Sequence, residues 1–191
     1  MHIELTDHLR CPADHDESFL VLLPMRMDGR RVTAGELGCP TCHWSATWSD
    51  GVLDFGGGVV AAGEPPCDAD ALLALLGVEG AGGWVAMAGT MAALAPAVAE
   101  RLPGVGVVAV NPPGGVAPRG GVQVLRTGRW PLKQQSLRGV AVGGDAEGWL
   151  EQAVGSVLPG LRAVGSGPAP TEGPRRELLA EAGGLWVVRC R

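Results

Sequence analysis

The C-terminal two thirds of the chain alternates between short apolar runs and segments of helical length. The runs lie at residues 82–89, 105–113, 122–127, 137–144, 161–165 and 185–190. Strands that are apolar throughout and separated by helical segments are typical of a parallel sheet covered on both faces. The pattern therefore predicts an open, doubly wound α/β domain.

Helices are predicted between these strands. The first, at residues 68–77, starts on an acidic N-cap residue, Asp68, and stops at Gly77, which are typical signals of helix ends. The others are expected at residues 91–102, 146–160 and 174–184. The last of them would lead directly into the closing strand.

The N-terminal residues have a different pattern. An apolar run at Phe19–Leu23, a turn at Asp28 and Gly29, and a returning segment at Arg31–Leu37 predict a β-hairpin. Residues 59–66, VVAAGEPP, are small and end in two prolines, as a linker does. The predicted organisation is an N-terminal domain at 1–58, a linker at 59–66 and an α/β domain at 67–191.

Two chelating turns flank this hairpin. Cys11 and His15 form a C-x3-H pair, and Cys39 and Cys42 form a C-x2-C pair. Such spacing brings three thiolates and an imidazole onto one tetrahedral Zn²⁺, which is structural because the four ligands leave no open position. The alternative is a set of scattered buried thiols, which the pairing within one short segment disfavours. His43, next to Cys42, is an alternative fourth ligand to His15.

The charge distribution bears on partners and location. The net charge is −5, with four arginines and nine acids in residues 1–58 and eleven of each sign in residues 59–191. Nucleic-acid binding is disfavoured because a phosphate-binding surface needs a basic stripe. No apolar run approaches the ~20 residues of a membrane span, and the N-terminus lacks a charged-then-apolar signal, so we expect no membrane association and a cytoplasmic protein. Cys67 and Cys190 would there be free thiols.

Two segments carry a resemblance to a known class of ribbon. L-R-C-P at residues 9–12 and C-P-T-C-H-W-S-A-T-W-S-D-G-V-L-D-F at residues 39–55 resemble the zinc ribbons of the small activator subunits of tRNA, rRNA and protein methyltransferases. In those ribbons an aromatic residue, a D-G-I/V turn and an apolar strand follow the C-x2-C turn. Trp48, Asp50, Gly51 and Val52 match that tail. The resemblance implies a small N-terminal β zinc ribbon.

The larger domain resembles the class I AdoMet-dependent methyltransferases, which are often fused to such ribbons. S-V-L-P-G-L-R-A-V at Ser156–Val164 is similar to the turn before the family's fifth strand, and G-G-L-W-V-V-R-C at 183–190 to its closing strand. The segment T-G-R-W-P-L-K-Q-Q-S-L-R-G-V-A-V at 127–142 is similar to the approach to the fourth strand. The resemblance implies a Rossmann-like doubly wound parallel sheet.

Most of the residues that bind AdoMet in that family are replaced in this sequence. The acidic residue expected after the first strand is Met87, and of the glycine-rich loop only Gly89 survives. Met91 and Ala93 stand at later glycine places, where their side chains occupy space that the ligand needs. Asn111 stands where a carboxylate would accept bonds from the ribose hydroxyls.

Two further acidic places are held by Arg129, beside the adenine position, and Arg138, at the start of the fourth strand. Gly89 and Asn111 therefore remain as the candidate cofactor-binding residues of a degenerate site, and we expect AdoMet not to be bound. No nucleophile elbow or P-loop occurs, and all four histidines precede residue 44, so no catalytic residue is predicted. Asp145 is expected at a solvated helix start.

These patterns predict a zinc-binding protein with a degenerate methyltransferase-like domain. Its role would be that of a non-catalytic scaffold or regulatory partner, working with a protein partner or as a homo-oligomer. The alternative is an active AdoMet-dependent methyltransferase that acts on RNA or protein, and binding of AdoMet separates the two.

Overall fold

The computed structural model describes residues 1–48 and 51–191, so Asp50 of the D-G-V turn lies outside the described residues. The strands are β1 (Val21–Asp28), β2 (Arg31–Gly38), β3 (Ser45–Trp48), β4 (Val52–Asp54), β5 (Trp84–Ala88), β6 (Gly106–Val110), β7 (Val122–Arg126), β8 (Leu137–Val142), β9 (Val157–Ser166), β10 (Arg176–Ala182) and β11 (Leu185–Cys190). The helices are α1 (Ala69–Leu76), α2 (Ala95–Arg101) and α3 (Leu150–Gly155), with 3-10 helices at Ile3–His8, Gly89–Leu94 and Gly144–Trp149.

An eight-stranded, mostly parallel sheet forms the centre of the fold. Its strand order is β10-β11-β9-β8-β5-β6-β7-β4, in which only β11 runs against its neighbours β9 and β10. All five residues of β5 are buried, as expected for a strand whose two faces are both covered. The prediction of a mixed α/β fold is confirmed, and the sheet is compatible with a Rossmann-like fold.

The two faces of this sheet are covered by different parts of the chain. Val85 and Met87 of β5 share one apolar cluster with α1 and α2. The alternate residues Ala86 and Ala88 belong to a second cluster, which contains α3 and the N-terminal segment. Leu5 of that segment is completely buried there.

The N-terminal segment is therefore attached to the sheet through a shared core. β1, β2 and β3 form a separate three-stranded antiparallel sheet, with the predicted hairpin turn at Gly29. β4, the next strand along the chain, belongs to the large sheet and pairs in parallel with β7 at its edge. The division into domains at residues 58 and 66 stays a prediction.

Helix α1 has the ends that its sequence predicts. The Asp68 carboxylate accepts a hydrogen bond of 2.8 Å from the Ala71 amide, which is the usual N-cap bond. At the other end Gly77 adopts a left-handed conformation (φ 62°), and its amide donates to the Leu73 carbonyl oxygen. No helix of the described residues is long and apolar enough to cross a membrane.

The predicted helix at residues 174–184 is wrong. The chain instead forms β10, which pairs with β11 through a two-residue turn at Gly183 and Gly184. Both glycines have positive φ (61° and 75°), the geometry that tight hairpins require. Pairing with β11 overrides the helix propensity of this segment. The predicted helix at 146–160 is also too long, since α3 ends at Gly155 and β9 already begins at Val157.

Three tryptophans lie over glycines of the neighbouring strand. The cross-strand pairs are Trp48 with Gly35, Trp84 with Gly106, and Trp186 with Gly165. A Cβ atom at Gly106 or Gly165 would lie 2.2 or 2.1 Å from the indole ring, so glycine is required for the indole to lie flat on the sheet. These pairs account for part of the high glycine content.

Candidate functional site

The four predicted metal ligands converge in the structure. The ligand atoms of Cys11, His15, Cys39 and Cys42 all lie within 4.8 Å of one another. The Cys11 and Cys42 Sγ atoms are 3.6 Å apart, and the Cys39 Sγ is 3.6 Å from His15 Nε2. A tetrahedral Zn²⁺ with bonds of about 2.3 Å to sulfur separates its sulfur ligands by about 3.8 Å. The cluster therefore has the size and the donor atoms that Zn²⁺ needs.

Local backbone geometry builds the second chelating turn. The Cys39 amide donates to the Trp44 carbonyl oxygen (2.8 Å), and the His43 amide donates to the Cys39 carbonyl oxygen (3.1 Å). His43 closes the turn in a left-handed conformation (φ 60°) and is exposed. The ligand cluster contains His15 and not His43.

The surroundings of the cluster favour a metal-binding imidazole. His15 Nδ1 lies 2.6 Å from the Asp16 carbonyl oxygen. A proton on Nδ1 is then donated to that oxygen, which leaves Nε2 free to bind the metal. The same bond to the backbone is the largest cause of the raised pKa of His15.

The sulfurs differ in how readily they ionise. Burial raises the pKa of the Cys11 thiol to about 12. For Cys39 burial acts in the same direction, but the amides of Cys42 and Thr41 point at the sulfur and, with its other hydrogen bonds, lower its pKa to about 6. Ionisation of all three thiols in so small a volume is unfavourable without a cation, because the thiolates would repel one another, and a bound cation would favour it.

Gly89 and Asn111 lie at the carboxyl-terminal ends of the adjacent parallel strands β5 and β6. The ends of β5, β6 and β7 are called the carboxyl edge below. Gly89 has positive φ (63°), and a Cβ atom there would lie 2.2 Å from Oδ1 of Asp145. The same Oδ1 accepts a hydrogen bond of 2.9 Å from the Thr90 amide. The Asp145 carboxylate thus packs against the loop in which the sequence places the cofactor.

The Asn111 side chain makes its hydrogen bonds to the protein backbone. Its Nδ2 donates to the Thr127 carbonyl oxygen (2.8 Å), and its Oδ1 accepts from the Thr127 amide (2.9 Å). This pair of bonds needs one donor and one acceptor, which an amide has and a carboxylate lacks. The side chain is buried and joins the end of β6 to the residue after β7.

A segment that joins the end of the predicted N-terminal domain (1–58) to the start of the predicted linker (59–66) crosses the β7 and β6 ends of the carboxyl edge. Residues 55–61, called the strap, follow β4 and have no regular secondary structure. The Phe55 amide donates to the Arg126 carbonyl oxygen (2.7 Å), and the Gly128 amide donates to the Gly56 carbonyl oxygen (2.7 Å). The strap is thereby hydrogen-bonded to the last residue of β7 and to the second residue after it.

The strap continues over the end of β6. The Ala61 amide donates to the Asn111 carbonyl oxygen (3.2 Å). A Cβ atom on Gly58 would lie 2.8 Å from Asn111 Oδ1 and 2.8 Å from the Thr127 amide nitrogen. The backbone of the strap is therefore in contact with the Asn111 side chain, at the position where the resemblance would place the ribose.

The other replaced positions lie in different places. Met87 is completely buried in β5. Arg129 lies near the first chelating turn, with its guanidinium 3.6 Å from an Asp14 carboxylate oxygen. Arg138 lies at the amino-terminal end of the sheet, where it donates to the Gly82 carbonyl oxygen (2.7 Å). The replacement at Arg138 therefore has no bearing on the carboxyl edge.

A cavity of about 370 Å³ lies at the amino-terminal end of the sheet, away from the carboxyl edge. Val157, Arg176 and Cys190 are among its lining residues, and Arg176 bridges to Glu151 (2.9 Å). Burial raises the pKa of the Cys190 thiol to about 11, so the thiol is a poor nucleophile.

Asp145 is exposed at the start of a 3-10 helix, as predicted, but its contact with Gly89 and Thr90 and the course of the strap were not predicted. Both depend on which strand ends lie side by side, and no local motif marks them. The described residues offer four metal ligands at one place, and at the carboxyl edge the strap contacts the ends of β6 and β7 while the exposed Asp145 contacts the loop after β5. No protein-family model matches the chain, and a search of curated proteins finds no match.

Proposed function

We propose that this protein is a non-catalytic scaffold or regulatory partner, in which a structural zinc ribbon is joined to a degenerate class I methyltransferase-like domain. The strap over Asn111 and Thr127 is the observation that carries the proposal. An enzyme of this family needs an open carboxyl edge for its cofactor, and the contacts of the strap with Asn111 and Thr127 favour an edge that is closed at the end of β6.

The donor set supports the zinc ribbon. Three cysteines and one histidine complete a tetrahedron, so no position is left for a substrate or an activated water. When bound, Zn²⁺ supplies only the crosslink. Cys11 and His15 hold it from the first chelating turn, and Cys39 and Cys42 hold it from the second.

Strand order supports the methyltransferase-like domain. If β5 is numbered as strand 1 and the following strands β6, β7, β8 and β9 as strands 2 to 5, their order across the sheet is 3-2-1-4-5. Doubly wound dinucleotide-binding sheets have this order. An antiparallel closing strand beside the fifth, like β11, fits the class I methyltransferases that the sequence resembles.

The position of Asp145 supports the loss of the ligand. In doubly wound sheets the ligand binds outside the carboxyl ends of the strands, where the strand order reverses. That point lies between β5 and β8, and the contact of Asp145 with Gly89 and Thr90 lies at the same place. One carboxylate therefore packs against the only surviving glycine of the loop.

Isothermal titration of the zinc-loaded full chain with AdoMet tests the proposal. We expect no heat of binding up to millimolar AdoMet, because the strap and Asp145 occupy the carboxyl edge. Micromolar binding would overturn the proposal and favour the methyltransferase alternative. A second titration uses the Gly58→Val variant, whose new side chain would clash with Asn111 and Thr127 and displace the strap, and it measures whether displacement of the strap alone restores a site.

A further inference from the structure

Five large apolar side chains in and beside β1 remain in solvent. Their exposed fractions are 56 % for Phe19, 52 % for Val21, 60 % for Leu23, 63 % for Met25 and 44 % for Met27. The first four are alternate residues of one continuous segment, called the apolar stripe below, whereas the register shifts of β1 pair Met27 with the buried Val32 and so place it on the other face of the sheet. Soluble monomers rarely expose a contiguous apolar patch of this kind unless it binds something.

The stripe lies on the outer side of the three-stranded sheet. β1 is an edge strand of this sheet, and Leu20, the neighbour of Phe19 and Val21, is buried. Val21 and Leu23 pair with Gly38 and Glu36 of β2, and these four residues line a shallow groove of about 300 Å³. The stripe is therefore an open surface and not a set of isolated side chains.

The edge of β1 is a poor template for another strand. Pro24 has no amide proton to donate, and the register of β1 shifts twice between Pro24 and Met27. Proline and bulges are devices by which edge strands avoid strand addition. A partner must therefore contact the side chains of the stripe and cannot simply extend its hydrogen-bond ladder.

The two ends of the stripe have opposite charge. Residues 14–17, beside Phe19, contain three acids and neither lysine nor arginine, which gives a formal charge of −3. Residues 26–31, around Met27, contain three arginines and one aspartate, which gives +2. Arg10 and Arg129 pair with Glu17 and Asp14 at the acidic end, and Glu4 pairs with Arg30 at the basic end, which reduces the formal charges from −3 and +2 to −1 and +1 but keeps their signs.

We propose that the apolar stripe is the interface between two copies of this chain, packed antiparallel about a two-fold axis near Leu23. In such a pair the acidic end of each copy meets the basic end of the other, which is the self-complementarity that an isologous interface needs. The unbranched side chain of Met25 can adapt to the shape of the partner's stripe. The inference rests on the proposed scaffold function and specifies its partner.

The stripe is short, which sets the expected affinity. Eight residues of β1 at about 3.4 Å each extend over about 27 Å. A standard interface takes about 800 Å² from each partner, and one hairpin face supplies at most the low end of that range. We therefore expect a dissociation constant on the order of micromolar.

Sedimentation equilibrium of the zinc-loaded full chain, from about 1 to about 200 μM, tests this interface. The wild type is expected to rise from the 19.6 kDa of the monomer toward twice that mass. A variant with both Leu23→Glu and Met25→Glu should remain monomeric over the whole range, because both side chains are exposed and their charges would face each other. Val59→Glu is the matched control, since Val59 is 80 % exposed and lies outside the stripe.

A charge-reversal variant tests the charge complementarity of the two ends of the stripe. Arg26→Glu should weaken self-association at least tenfold, and added salt should weaken the wild-type dimer in the same direction. A wild type that stays monomeric, or that forms assemblies beyond the dimer, would overturn the inference. Zinc content and the AdoMet titration are independent of that outcome, so a monomer that ignores AdoMet removes this interface and leaves the proposed function standing.

Discussion

Replacing Cys39 with serine should abolish stoichiometric metal binding and unfold the N-terminal segment. The ligands come from two turns 24 residues apart along the chain, so a bound metal would crosslink them. Structural zinc contributes about 10–16 kcal/mol of apparent binding free energy in small zinc-finger peptides. Even a fraction of that amount is comparable with the total stability of a domain.

The loss should spread to the large sheet. Leu5, Leu9 and Leu37 belong to the same apolar cluster as Ala86 and Val108, so unfolding of the segment uncovers one face of that sheet. Zinc content measured by elemental analysis and thermal unfolding followed by circular dichroism give the two readouts. Cys67→Ser is the control, because Cys67 is outside the ligand cluster. This variant should keep the metal content and the melting temperature of the wild type. A Cys39→Ser protein that retained one zinc per chain and the wild-type melting temperature would contradict the role of the cluster.

Substitutions at the Trp186 and Gly165 pair should give the second large effect. Trp186 is 1 % exposed, and removing so large a buried side chain costs about 3–5 kcal/mol. In Gly165→Ala the new Cβ atom would lie 2.1 Å from the Trp186 ring, so the ring must move, at a cost of about 1–3 kcal/mol. Urea unfolding of each variant measures the free energy of unfolding.

The double variant separates this contact from a general effect of glycine replacement. With Trp186 already replaced by alanine, Gly165→Ala should cost much less than it does alone, because the overlap has been removed. Gly155→Ala is the matched control, since a Cβ atom there meets nothing within 4 Å, and we expect it to be neutral or slightly stabilising. Equal costs of Gly165→Ala in both backgrounds would show that the contact with the indole does not matter.

The elements that the sequence predicted well are those with strong local signals. β5, β6, β7 and β8 are apolar at nearly every position because both faces of the sheet are covered. Asp68 and Gly77 mark the ends of α1 through their own backbone chemistry. The ligand cluster follows from spacing alone, because two short turns can meet at one metal wherever the hairpin places them.

The elements that the sequence did not predict depend on contacts between distant segments. β10 has the composition of a helix, and only its pairing with β11 makes it a strand. The Asp145 contact with Thr90 joins residues 55 positions apart, and the strap meets Asn111 across 50 positions. Burial of Leu5 and Leu9 against the large sheet has the same origin. Local propensity has no information about such pairs.

Hydrogen exchange at the amides of Gly128 and Ala61, followed by NMR, tests most directly whether the strap closes the carboxyl edge. These amides donate to Gly56 and Asn111, and their bonds exist only while the strap lies on the sheet. We predict exchange as slow as that of the neighbouring sheet amides, and no change when millimolar AdoMet is added. Rapid exchange at both amides, or loss of their protection on addition of AdoMet, would contradict the account.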